Sequence, residues 1–186
     1  NHGLTVDIDT LEMDDQATLE LFGRGETVGV FQFESPPMRD YLQKLKPDRF
    51  GDIIALNALY RPGPMKYIPN YIARKHGSEK VVYHHALAEP TLKETYGIIT
   101  YQEQVMELCR NLAGFTLGHA DGIRKAMGKK LADVMEKYRN QFMEGTQELG
   151  IDKESAKKIW SDIEVFSGYG FNKAHSSGYA LVAYQC

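Results

Sequence analysis

Cysteine is scarce in this chain. Its 186 residues hold two, Cys109 and Cys186. That is too few for a disulfide framework, and it fits a reducing compartment. Long apolar runs are missing too: no stretch approaches the roughly 20 residues that a membrane helix needs. The start, Asn1-His2-Gly3-Leu4-Thr5, carries neither a basic nor an apolar targeting region. There is no excess of positive charge. The formal net charge is −3, which excludes a protein that coats nucleic acid by bulk basicity. Internal repeats and low-complexity tracts are absent. So is a starting Met, and the last tract, Gly178 to Cys186, stops inside a helical pattern without a Gly, Asn or Pro stop signal. The chain reads as a piece of something longer, truncated at both ends. Its 42% hydrophobic content suits a globular domain with a real core, or part of a larger one.

Against these absences, one stretch stands out: Phe166-Ser167-Gly168-Tyr169-Gly170-Phe171-Asn172-Lys173-Ala174-His175-Ser176. Glycines alternate with aromatics, then come an amide, an ammonium, an imidazole and a hydroxyl. From Asn172 to Tyr184 the pattern is helical, and Asn172, His175, Ser176 and Tyr179 share one face by their i, i+3, i+4, i+7 spacing. A glycine-rich turn feeding a helix start offers free N–H groups and a positive dipole end to an anion. Lys173 adds a full charge and Tyr169 a flat ring. Two readings fit: a nucleotide site, or an ordinary helix start with core aromatics.

A second stretch, Gly118 to Lys130, contains Arg124, Lys125, Lys129 and Lys130. Four cations within seven residues make a local field suited to a polyphosphate or a nucleic-acid backbone, although basic runs are usually solvated surface.

Taken in order, the chain reads as mainly helical with a few short strands. Residues 1–13 are an extended or irregular lead-in. Val6-Asp7-Ile8-Asp9 alternates, so on a strand both carboxylates point one way, the spacing of a metal-binding pair or of an exposed acidic linker. Asp14 or Asp15 caps a helix to Phe22. Val28 to Phe33 is a strand-like run. Ser35-Pro36-Pro37 opens a helix to about Leu45, and Asp48 caps the next, which ends at Arg61-Pro62-Gly63-Pro64. That rigid turn fixes Arg61, either as a phosphate contact or as a surface arginine. Further helices are expected over 67–75, 90–94, 102–113, from Thr116 through Lys125, over 131–149 and from Asp152 to Phe166. His76, His84 and His85 lack the companions a zinc site wants. Cys109 falls among inward positions of its helix and reads as structural.

Five blocks together resemble the fingers region of the alpha subunit of bacterial DNA polymerase III, the C-family replicative polymerase. They are Gly29-Val30-Phe31-Gln32-Phe33-Glu34-Ser35, Ala58-Leu59-Tyr60-Arg61-Pro62-Gly63-Pro64, Tyr96-Gly97-Ile98-Ile99-Thr100-Tyr101-Gln102-Glu103-Gln104-Val105-Met106, Arg124-Lys125-Ala126-Met127-Gly128-Lys129-Lys130 and Tyr169-Gly170-Phe171-Asn172-Lys173-Ala174-His175-Ser176. The resemblance implies a helical fingers domain over 14–186, incomplete at its end, and a linker over 1–13 resembling the exit from the palm. It implies contact with an incoming dNTP by the basic block and by the Tyr-Gly-Phe-Asn-Lys block. The expected nucleotide-binding residues are Arg124, Lys125, Tyr169, Asn172, Lys173, His175 and Arg61. The family's basic block often reads Arg-Arg. Lys125 keeps the charge but not the bidentate fork, so Arg124 is the firmer carry-over.

The family's catalytic aspartates belong to a palm upstream, so no catalytic or metal-binding residue is expected here, and Asp7 and Asp9 are not assigned as ligands. The resemblance further implies Mg2+ bound outside this chain, template-primer DNA as a second partner, replicase subunits including the sliding clamp reached through other regions, and a cytoplasmic location without membrane attachment. Alone, the chain is expected to show no primer extension. Two other classes remain: a stand-alone nucleic-acid-binding module, favoured by the cations and tyrosines but not by the acidic total, and an unrelated nucleotide-binding enzyme using Asp7 and Asp9.

Overall fold

The computed structural model describes residues 7–129, 131–167 and 169–186. Ten α-helices lie among them: α1 (Gln16–Arg24), α2 (Pro36–Leu45), α3 (Phe50–Leu59), α4 (Ile68–Lys75), α5 (Glu89–Leu92), α6 (Gln102–Ala113), α7 (Leu117–Lys129), α8 (Ala132–Glu148), α9 (Lys153–Ser167) and α10 (Lys173–Gln185). Short 3-10 turns intervene, notably Pro64–Tyr67 and Lys93–Thr95. The mainly helical class stands. The helix starts follow capping chemistry: the Asp15 carboxylate accepts from Thr18 N at 2.7 Å, and Asp152 accepts from Ser155 N at 2.9 Å.

The expected strands do not form. Val28 to Phe33 folds as consecutive turns, with Gln32 at φ 66°. Apolar composition favours a strand only when a neighbour pairs with its backbone. Here Phe33 turns inward as a single core residue against Phe22, ring centroids 5.5 Å apart. Among the described residues the one β feature outside the helices is an isolated parallel bridge, Tyr101 to Phe171. The acidic lead-in is not extended either: Ile8–Thr10 makes a 3-10 turn, so alternation no longer sets where its carboxylates point. Val6 and the Asp9 side chain lie outside the described set.

The chain divides into two compact units. One comprises Asn1–Asn57 and Ala174–Cys186, the other Ala58–Lys173. In the first, Leu19 and Phe22 of α1 and Met38, Leu42 and Leu45 of α2 are buried, as are Ile53 and Leu56 of α3 and Ala180 and Ala183 of α10. Apolar residues run all round α3, as expected for a helix with no solvent face. A buried polar pair fastens α10 to it: the Ser176 hydroxyl donates to Ile54 O at 2.7 Å and accepts from Asn57 Nδ2 at 3.0 Å.

The second unit is built on α6. Its inward stripe, Val105, Leu108, Cys109 and Leu112, packs in one core with Ile123 and Met127 of α7, Phe142 of α8 and Ile159, Trp160 and Ile163 of α9. Phe142 and Trp160 are both almost wholly buried; truncating an aromatic of this kind to Ala costs about 3–5 kcal/mol. Burial pushes the Cys109 thiol far up, in keeping with a structural role. α8 crosses α6 closely because Gly145 has no side chain: a Cβ there would overlap the backbone of Ala113. No helix of the described residues is long and apolar enough to cross a membrane.

Candidate nucleotide site

The chain from Gly170 to Lys173 is held by the start of α6 through four hydrogen bonds, one of them part of a backbone bridge. Tyr101 and Phe171 bridge their backbones. Gln102 N donates to Phe171 O at 2.8 Å, and Gln102 Nε2 donates to Gly170 O at 3.0 Å. The Glu103 carboxylate then closes the arrangement, accepting from Asn172 Nδ2 at 2.6 Å and from Lys173 N at 2.9 Å. The segment Gly170–Lys173 is thereby fixed to the start of α6. The Glu103 charge also sits in the first turn of α6, where the helix dipole favours an anion.

Gln104 is why the start of α6 is rigid. It is 3% exposed and makes four hydrogen bonds. Its Oε1 accepts from Thr100 N at 2.8 Å and Tyr101 N at 3.0 Å. Its Nε2 donates to Thr91 O at 3.2 Å and Thr95 Oγ1 at 2.8 Å. A buried amide with all its partners satisfied fixes the segment it bonds, here residues 91–101.

Around this frame the site side chains gather. The Arg61 guanidinium lies 3.6 Å from the centroid of the Phe171 ring, a cation–π geometry. The turn presenting it is closed by Met65 N donating to Arg61 O at 3.1 Å. Within that turn Gly63 takes φ 103°, and a Cβ on it would collide with the Tyr169 ring, so only glycine lets the ring lie there. Tyr169 is 47% exposed. With Arg61, Pro62 and Pro64 it lines an open groove of about 500 Å³. With Ala126, Met127, Met135 and Arg139 it lines a second of about 600 Å³. Lys173 Nζ is gripped by both oxygens of Glu94, at 2.8 and 2.7 Å, and lies 5.4 Å from the Tyr101 ring centroid.

The α7 cations are held differently. Arg124 Nη2 and Lys125 Nζ each reach Asp121, at 2.7 Å to Oδ1 and 2.7 Å to Oδ2. Hydrogen bonds from Lys125 and then Arg124 keep the Asp121 carboxyl below its ordinary range. Lys129 is exposed, and Lys130 lies outside the described residues, as does Gly168.

The structure thus gathers Arg61, Tyr169, Asn172 and Lys173 round one short segment. Arg124 and Lys125 stand on α7, anchored to Asp121, and Met127 of that helix shares the larger groove with Tyr169. His175 belongs to the other unit, its ring 4.4 Å from that of Tyr179. Ser176, expected on the same helix face, is fully buried, its hydroxyl engaged with Ile54 and Asn57. The histidines have structural partners: His84 pairs with Asp162 at 3.2 Å, and His85 Nδ1 accepts from Leu87 N at 3.2 Å. Glu94, Glu103 and Gln104 were not singled out as site residues from sequence. Asp121 could have been: its i, i+3 and i, i+4 spacing to Arg124 and Lys125 is a local signal.

Among the described residues no group of three or more His, Cys, Asp or Glu side chains is arranged to hold a metal ion. Glu94, Glu103 and Asp121 each face a cation or an N–H donor, a poor fit to a divalent cation.

Residues 1–150 match the model of the bacterial DNA polymerase III alpha subunit finger domain. The chain is 50% identical to DNA polymerase III subunit alpha of Aquifex aeolicus over 185 residues, 98% of this chain and 16% of that protein. It is 52% identical to the same subunit of Haemophilus influenzae over 187 residues, 97% of this chain and 16% of that protein. With the Thermus aquaticus subunit the identity is 50% over 188 residues, 98% of this chain and 15% of that protein. A helical scaffold carrying cations and aromatics at two helix starts is, on this match, a polymerase finger domain. The chain belongs to the bacterial DNA polymerase III alpha subunit finger family, and it spans about a sixth of the length of these relatives.

Proposed function

We propose that the chain positions the incoming dNTP in a replicative DNA-directed DNA polymerase and contacts the template-primer beside it. The observation that carries this reading is the gathering of Arg61, Tyr169, Asn172 and Lys173 on a segment that α6 holds rigid, within a chain of the finger family. Lys173 and the amide of Asn172 supply charge and hydrogen bonds for phosphate oxygens. Tyr169 supplies an exposed ring for the base or sugar, and Arg61 lines the same groove. Arg124 and Lys125 add charge from α7, Arg124 with the fork that suits two oxygens at once. His175 is included as a nucleotide contact on the strength of the family's Tyr-Gly-Phe-Asn-Lys block alone.

The chemistry is attack of a primer 3′-hydroxyl on the α-phosphate. This chain's residues orient the triphosphate and stabilise its charge. The catalytic carboxylates and Mg2+ belong to other parts of the polymerase, as do contacts with the sliding clamp and other replicase subunits. The working place is the cytoplasm.

The test is single-nucleotide incorporation by a polymerase III alpha subunit carrying this chain. Lys173→Ala and Arg61→Ala should each raise KM for the nucleotide about tenfold, the loss of one charge-assisted contact. Parental KM in both variants refutes the reading.

A further inference from the structure

We infer that Glu94 is a built-in competitor for the nucleotide: its carboxylate occupies Lys173 when no phosphate is present and is displaced when a triphosphate arrives. The inference rests on the nucleotide reading above and adds a residue that sets affinity at that site.

Geometry carries the argument. Both Glu94 oxygens lie within hydrogen-bond distance of Lys173 Nζ, at 2.8 and 2.7 Å, the two-oxygen grip that a phosphate offers an ammonium. The two residues are 79 positions apart in sequence, so helical spacing does not produce the pair. It is placed by the frame: Glu94 precedes Thr95, whose hydroxyl accepts from the buried Gln104 at 2.8 Å, and Lys173 follows the segment that α6 holds.

The two nearby carboxylates divide the work. Glu103 bonds a backbone N–H and an amide, and so fixes Asn172 and Lys173. Glu94 grips the ammonium with both oxygens. Its side chain is 42% exposed and that of Lys173 39%. An ion pair so open to water is weak and readily exchanged. A single carboxylate charge is outcompeted by a triphosphate carrying several. In the absence of nucleotide the pair still has a use. It keeps the lysine charge partnered until a phosphate arrives. Glu94 therefore acts through Lys173, as a positioning residue that also tunes affinity.

The experiment is steady-state incorporation by the polymerase III alpha subunit carrying this chain, with Glu94→Gln, Glu94→Ala, Lys173→Ala and the Glu94→Gln/Lys173→Ala pair, each checked by thermal melting. Removing the competing charge should lower KM for the nucleotide about threefold, the worth of an exposed ion pair, with the change in KM rather than kcat. The double variant should behave as Lys173→Ala alone. If Lys173→Ala raises KM while both Glu94 variants keep the parental value or raise it, Glu94 is not a competitor and the nucleotide reading stands. A lowered KM that persists without Lys173 overturns the inference as well, because Glu94 then acts elsewhere. If Lys173→Ala leaves KM unchanged, the nucleotide reading of Lys173 fails and this inference falls with it.

Discussion

Two sets of polar site side chains in the Ala58–Lys173 unit are held in opposite ways. On α7, Asp121 takes both Arg124 and Lys125 from three and four residues away, and one turn of helix contains the whole arrangement. Around Tyr169–Lys173, each partner comes from far along the chain: Glu94 for Lys173, Glu103 for Asn172, Phe171 for Arg61. The first set keeps its geometry wherever α7 goes. The second exists only while residues 91–104 and 169–173 are folded against each other. A local cluster of charge is robust and legible; a cluster assembled from distant segments is precise and depends on its scaffold.

The largest effect should come from striking the local set. In the polymerase, Arg124→Ala should lower kcat/KM for nucleotide incorporation by roughly 30- to 1000-fold, about 2–4 kcal/mol, as for loss of one preorganised donor. Lys125→Ala should cost less, because an ammonium is the weaker phosphate clamp. If Lys125→Ala costs more, the ranking of the two α7 cations is reversed.

Next, the distant set can be loosened without touching a cation. Gln104→Ala leaves the Thr100 and Tyr101 N–H groups buried without their acceptor, a loss of about 2–3 kcal/mol of folding stability. It should raise nucleotide KM too, since Glu103, which holds Asn172 and Lys173 N, loses its frame. Denaturant unfolding and KM read the two effects, and a destabilised variant with parental KM would uncouple scaffold from site.

Tyr169→Ala should impair nucleotide use by about tenfold in KM, the scale of one base–aromatic stack, and Tyr169→Phe clearly less. Equal losses would point to the hydroxyl, and no loss from either would return Tyr169 to a surface role.

The smallest effect should be acid sensitivity of the local set. Asp121 lies below the ordinary 3.8 because Lys125 and Arg124 favour its charged form. A lowered folded pKa means that its stabilisation is present above 3.8 and is lost as pH falls through the lower folded value. Between about pH 5 and pH 3, Asp121→Asn should therefore lose less melting temperature than the parent. A carboxyl resonance of Asp121 titrating at or above 3.8 would refute the pairing.

The same contrast explains what could be read in advance. The α6 boundaries follow from its apolar stripe, and Asp15, Ser35, Thr116 and Asp152 mark helix starts within a residue or so, because caps act over three or four positions. Val28 to Phe33 misleads since strand composition carries no information about a pairing partner. Arg61 and the Tyr169–Lys173 block stand out by residue type. The partners that shape them, Glu94, Glu103 and Gln104, sit in ordinary-looking sequence; their importance arises from contacts 69 or more residues away or from burial, neither of which leaves a local pattern. His175 was grouped with Asn172 by helical spacing, which fixes a face of α10 but not what that face meets.

The Asp121 clasp also bears on ionic strength. Arg124, Lys125 and their shared carboxylate present one net positive charge to anything farther off than a Debye length of about 8 Å at physiological salt. A polyanion approaching α7 is drawn by that remainder and meets the second charge only on contact. Nucleic-acid binding through this helix should then fall less steeply with added salt than a count of its cations implies, because the slope follows the phosphates actually neutralised.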